Sequence, residues 1–198
     1  MLHDPGSHSV PQTLDHLRLS PAEQDVLKRL GQELAAISAQ PVHREKAVLW
    51  RQLNDLQSKR PMVWINEIPW HEMNVDDELT LRTTHPWARE LETRLRRTIY
   101  QWRHMPADMV VSDFIECPLA IHSTDFGIHE DVDIQKTDAH SDIVSRHFKI
   151  QIRTMEDIAK IKLPLVSHDL RSTELAYDTM RELFRDIMPV KKVGQTHI

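Results

Sequence analysis

Apolar positions recur along this chain at two different periods, and the periods divide it into elements. Val26, Leu27, Leu30, Leu34 and Ile37 fall on one face of a helix. Ser20 precedes them as an N-cap, Pro21 takes the first helical position and Glu23 completes a capping box. Pro41 ends the helix near Gln40. A second helix is expected over about His43 to Ser58, with Leu49, Trp50, Leu53 and Leu56 as its apolar stripe and Arg44, Glu45, Arg51 and Asp55 as its wet face. A third is expected from Pro86 to His104, where Trp87, Leu91, Leu95, Ile99 and Trp102 share one face. A short helix is expected after Thr154, ended by Pro164. A last one runs from Thr173 to Met188, capped by Ser172 and burying Ala176, Met180, Leu183, Phe184 and Ile187.

Strand-like stretches lie between. Met62, Val63, Trp64 and Ile65 form an apolar run whose β-branched and aromatic content fits a buried strand. Asp108 to Ile121 reads as strand, break, strand, because Pro118 cannot donate to a central ladder. Phe148 to Ile152 alternates as a half-exposed strand does, and the chain re-enters a strand at PVKKVG after Pro189. The run 62–65 opens into a polar loop holding Asn66, Glu67, Trp70, His71 and Glu72. An α/β barrel presents its chemistry in this way, at the carboxyl ends of its strands.

Composition narrows the picture. A chain of 198 residues, 40% hydrophobic and 28% charged, suits one globular domain with a real core. Its apolar runs are too short for a membrane span, and MLHDPGSHSVPQ has neither the basic nor the apolar region of a secretory signal. One cysteine, Cys117, fits a reducing compartment, so a cytoplasmic setting is expected. A net charge of −5 argues against a nucleic-acid partner. Four glycines leave no room for a glycine-rich phosphate loop. The 13 histidines show neither zinc-finger nor HExxH spacing. Residues 1–18 are expected to be a mobile arm, 19–59 a helical hairpin extension and 60–198 a partial α/β barrel.

Four blocks carry a resemblance. RPMVWINEIPWHEM, WARELETRLRRTIYQWRHMPADMVV, SDIVSRHFKIQIRTMEDIAKIKLP and MPVKKVG together resemble the amino-terminal part of long uroporphyrinogen-decarboxylase-like proteins. That superfamily includes the haem-pathway decarboxylase and the corrinoid-linked methyltransferases. The resemblance spans roughly residues 20–198. It implies an amino-terminal helical extension followed by the first part of a TIM-type (β/α)8 barrel, incomplete at this length, since full members would be about twice as long. By family alone it also implies zinc, a corrinoid protein as partner and a small-molecule substrate. The decarboxylase motif RQAGR, which grips substrate carboxylates, does not occur here, and neither does the His-x-Cys pair of the methyltransferases.

Glu67 is the first candidate for a functional residue, as a carboxylate at a strand end able to bind a polar substrate or move a proton; a salt bridge or helix cap is its structural use. His71 and Glu72 are candidates for the same pocket, at most one pointing inward, and Trp64 and Trp70 would either stack on a planar ligand or pack in the core. Glu67, Trp70, His71 and Glu72 thus form the candidate substrate-binding set, with no catalytic or metal residues assigned. Cys117 reads as a buried small hydrophobe rather than a ligand, and His122, His129 and His140 as surface histidines. The arginines of the third helix, Arg89, Arg94, Arg96, Arg97 and Arg103, read as a solvated face, with an anion-binding patch as the alternative. Three functions compete. One is an inactive fragment of a barrel protein related to corrinoid-dependent methyl transfer. The others are a non-catalytic accessory or self-association module, and a uroporphyrinogen decarboxylase.

Overall fold

A computed structural model describes residues 17–124, 126–128, 131–135 and 145–194. The arm expected at 1–18 lies outside them up to residue 16, as do Asp125, His129, Glu130, Asp138 and His140.

Among the described residues, four α-helices form where helical spacing is strongest. The first, α1 (Pro21–Ser38), opens on the expected capping box: Glu23 N–H donates to Ser20 Oγ at 3.3 Å and Ser20 N–H to Glu23 Oε2 at 3.0 Å. The second, α2 (Val42–Asn54), stops earlier than its stripe suggests. Leu56 turns left-handed at φ 58° and is 94% exposed, so the stripe ends at Leu53. The third, α3 (Pro86–His104), has the expected bounds. The fourth, α4 (Leu170–Leu183), begins before Ser172 because Asp169 is its cap, accepting from Ser172 N–H at 3.0 Å and Ser172 Oγ at 2.6 Å.

The described residues form six short strands that pair two by two. β1 (Ile115–Pro118) lies parallel to β6 (Val190–Val193), with Ile115 opposite Val190 and Glu116 opposite Lys191. β2 (Ile121–Ser123) is antiparallel to β5 (Val166–His168), and β3 (Val132–Gln135) to β4 (Ser145–Phe148). Of the strand, break, strand expected over Asp108 to Ile121, residues 108–114 are not strand: β1 begins only at Ile115 and ends at Pro118, and β2 begins at Ile121, where the second strand was expected to end. β4 lies earlier than the alternation at 148–152 suggests, because its partner β3 starts at Val132 opposite Phe148. The chain is therefore of mixed α and β structure. Among the described residues the strands make three two-stranded ladders and no barrel, and no helix is long and apolar enough to cross a membrane.

The core sits where α1, α3 and α4 meet the β1–β6 ladder. Leu27 and Leu34 of α1 and Leu91, Leu95 and Ile99 of α3 share one cluster with Ile115, Cys117, Met180 and Phe184. Gly31 makes the closest approach: a Cβ there would stand 2.7 Å from the Phe184 ring. His43 joins α2 to this core as a neutral imidazole. Its Nδ1 accepts from Val111 N–H at 3.1 Å, so its Nε2 carries the proton and donates to Ile37 O at 3.0 Å. Burial holds its pKa below the usual imidazole range.

The buried strand expected at 62–65 does not form. Val63 and Trp64 are half exposed, at 53% and 52%, and the segment has no ladder partner. Its backbone groups go to side chains and single bridges instead. Val63 N–H donates to Asp108 Oδ2 at 2.9 Å, Val63 O accepts from Asp108 N–H at 3.1 Å, and Ile65 O accepts from Gln101 Nε2 at 2.6 Å.

Candidate functional site

Pro69 breaks the extended segment and a single 3-10 turn follows, Trp70–Glu72. The turn brings Trp70 and His71 against the face of α3 that carries Thr93, Arg96 and Arg97. The loop from Asn74 to Leu81 closes the third side. Together they line a cleft of about 320 Å³. The loop holds its shape through Asn74, whose Oδ1 accepts from Leu79 N–H at 3.0 Å and whose Nδ2 donates to Thr80 Oγ1 at 2.8 Å.

Two features of α3 set the electrostatics. The first is Glu92, fully buried, which accepts from Arg82 N–H, Thr83 N–H at 2.9 Å, Thr83 Oγ1 at 2.8 Å and Arg96 Nε at 2.7 Å. Burial alone would raise its pKa, but these donors outweigh it and hold the carboxyl below its usual range. The second is Arg96, fixed at both ends: Nε is on Glu92, and Nη1 donates to Glu78 O at 2.8 Å. Beside it the Arg97 guanidinium lies 5.0 Å above the Trp70 ring, and Tyr100 meets that ring edge-on at 6.2 Å. The Glu78 carboxylate is turned away, to Arg103 Nη1 at 2.6 Å and His104 Nε2 at 2.7 Å; these outweigh its burial and hold its pKa down.

Of the four residues expected to bind substrate, the structure brings two together. Trp70 and His71 line the cleft. Glu72 faces solvent, its Oε1 3.4 Å from His71 Nε2. Glu67 does not stand at a strand end facing a cavity; it is exposed and off the cleft, because the strand that would have aimed it inward has no partner. The arginines are only partly a solvated face: the Arg96 side chain is 15% exposed and tied to buried Glu92. Sequence reasoning did not single out Asn74, Leu79, Leu81, Thr93 or Glu92. The i, i+4 spacing of Glu92 and Arg96 was the one local signal available.

No group of three or more His, Cys, Asp or Glu residues that could hold a metal ion occurs among the described residues, so they do not assemble the zinc set implied by the resemblance. Cys117 is buried on β1, where burial pushes its thiol pKa up. His122 is exposed on β2. The cleft holds two guanidiniums, an imidazole, an indole and two leucines, with no carboxylate among its described lining residues. No family model matches the chain, and neither a curated protein nor a solved structure matches it.

Proposed function

We propose that this chain is the amino-terminal part of a uroporphyrinogen-decarboxylase-like barrel protein, related to corrinoid-dependent methyl transfer and inactive by itself. One observation carries the reading. β1 and β6 pair in parallel, and α4, which precedes β6, packs on both strands. A parallel pair bridged by a packed helix is the repeating unit of an α/β barrel. Its buried side, Ile115 and Cys117, faces the helices, while Glu116 and Lys191 face outward, the side that lines a barrel's interior. Parallel ladders are stable when further strands and helices cover them, and in this reading later βα units supply the cover. The substrate is a small molecule, the partner a corrinoid-bearing protein, and the zinc ligands come from those later units.

A second reading, a non-catalytic association module, is favoured by the apolar residues exposed along 150–166, among them Ile150, Met155, Leu163 and Leu165. Decarboxylation is the least supported, for want of the RQAGR arginines.

Two tests apply. Reading the gene past codon 198 is expected to give further βα repeats in frame, with a His-x-Cys pair; a stop followed by unrelated sequence overturns the proposal. The purified 198-residue chain is expected to turn over neither uroporphyrinogen nor a methylcorrinoid. Turnover of either, measured by product formation, would contradict it.

A further inference from the structure

We propose that α2 is a proton-sensitive clasp: a proton taken up by His43 releases the helix from the end of α1 and from residues 105–111. The inference stands independently of the barrel reading, because every group it rests on lies between Glu33 and Val111.

His43 is the one buried residue of α2, and both of its ring nitrogens are committed. Nε2–H donates to Ile37 O at 3.0 Å, across the turn between α1 and α2, and Nδ1 accepts from Val111 N–H at 3.1 Å. The second bond fixes the neutral form. An imidazolium carries a proton on each nitrogen, so a charged His43 would set its own N–H against that of Val111 and leave both donors buried without an acceptor. Its position adds to this, since His43 stands second in α2, where the unpaired amide groups of a helix start disfavour a cation. The Trp102 ring lies 4.4 Å from the imidazole, but Lys46 Nζ is placed over the same indole at 5.0 Å. The rest of the attachment is light. Lys46 Nζ donates to Ala107 O at 2.7 Å and Trp50 Nε1 to Asp108 O at 2.8 Å, while Leu49, Trp50 and Leu53 are only partly covered.

No carboxylate is placed to stabilise the charge where the ring sits. Of the neighbours on α2, Arg44 and Glu45 are exposed and Lys46 repels a proton. On α1 the ring meets the Ile37 carbonyl, and Glu33 is on Arg103. On α3 it meets Trp102, and the Arg103 and His104 that follow are held by Glu78. In the 105–111 segment the one acid, Asp108, is taken by Arg60 and Val63 N–H. Burial first, and then Lys46, lower the pKa of His43 from its ordinary 6.5, against a smaller opposite effect of Ile37 O. The closed form is therefore fully favoured above that value and loses ground as pH falls below it, because only the released ring takes up the proton.

The experiment is backbone hydrogen exchange of the whole chain from pH 7.5 to pH 5.5, above the range of the carboxylates, expressed as protection factors so that the intrinsic effect of pH is removed. Protection at Val111, Leu49 and Leu53 is expected to fall about tenfold in all across this range, while Leu27 and Leu91 keep theirs. In His43→Gln, whose amide can donate and accept but does not titrate, the fall is expected to vanish. Unchanged protection at Val111 overturns the proposal, as does an equal loss at Leu27 and Leu91 or the same pH dependence in His43→Gln. Should His43→Gln fail to fold, the ring signals of His43 in the parent decide by two-dimensional NMR. The ring is expected to stay neutral wherever Val111 is protected, and a ring that charges while Val111 remains protected overturns the proposal.

Discussion

Glu23 does more than close a capping box. Its Oε2 accepts from Ser20 at the start of α1, and its Oε1 accepts from Thr84 N–H at 3.0 Å and His85 N–H at 2.8 Å at the start of α3. One carboxylate thus serves the orphan donors of two helix amino termini. The donors, His85 N–H foremost, pull its pKa down from 4.5 to about 2. The folded pKa is the lower one, so the stabilisation is present above about pH 4.5 and is lost as pH falls toward 2. Glu23→Gln is expected to lower stability at pH 7 by about 1–3 kcal/mol, because an amide turns donors toward donors. It is also expected to flatten the fall in stability between pH 5 and pH 3, measured by urea unfolding at each pH. An unchanged acid profile would show that Glu23 is not the group responsible. Half of this arrangement was legible: Ser20, Pro21 and Glu23 form a motif within four residues. The other half reaches 61 and 62 residues along the chain, to Thr84 and His85, and no local pattern announces it.

α1 and α3 were legible as elements because each buries an apolar stripe, and α3 keeps the bounds its periodicity gives, whereas α2 buries only His43 and its stripe of Leu49, Trp50 and Leu53 is partly covered. The segment 62–65 was not, because an apolar run specifies extended backbone but not the neighbour that makes it a strand. Here the neighbour is a side chain. Asp108 accepts from Arg60 Nη1 at 2.9 Å, Arg60 Nη2 at 2.5 Å and Val63 N–H at 2.9 Å, and its own carbonyl accepts from Trp50 Nε1 at 2.8 Å. Asp108→Ala is therefore expected to free the Arg60–Ile65 segment while leaving α3 intact. Hydrogen exchange would show faster exchange at Val63 and unchanged protection at Leu95 and Ile99; equal protection at Val63 would exclude this anchoring role. Packing between elements gives a sharper case. A methyl group on Gly31 would lie 2.7 and 2.8 Å from two ring carbons of fully buried Phe184. Gly31→Ala should raise helix propensity, yet the overlap is expected to win and cost about 1–3 kcal/mol. Thermal unfolding would read this as a lower Tm, and a Tm equal to or above the parent's would mean that the ring moves aside freely. The cleft shows the same limit: Trp70 and His71 were visible in their own loop, but Arg96 and Arg97 stand 25 and more residues away, and only the fold of α3 against the turn joins them.

At the scale of the whole molecule, burial is uneven. The α1–α3–α4 side is well packed around Leu27, Leu91 and Phe184. The segment from Phe148 to Leu170, which leads from β4 through a 3-10 turn at Glu156–Lys160 to β5, leaves much of its apolar surface in water. Leu163 is 90% exposed, Met155 78%, Leu165 75% and Ile150 69%. Both two-stranded antiparallel ladders of this region are short, and pairs of this kind are marginal without a surface to pack on. The β1–β6 ladder has no further strand on either edge among the described residues, so its outer backbone groups are open to pairing. Exposed leucines, short ladders and open edges act in the same direction, toward association with whatever covers them. The purified chain is therefore expected to self-associate at micromolar concentration in sedimentation velocity. Replacing Leu163 and Leu165 together with lysine is expected to shift the distribution toward monomer, because both side chains already face water and the change costs little inside the fold. Added salt should not disperse the assemblies, since burial rather than ion pairing drives them. A monodisperse monomer that unfolds cooperatively would mean that this surface is stable in water as it stands, and both the association-module and incomplete-barrel readings would fall with it.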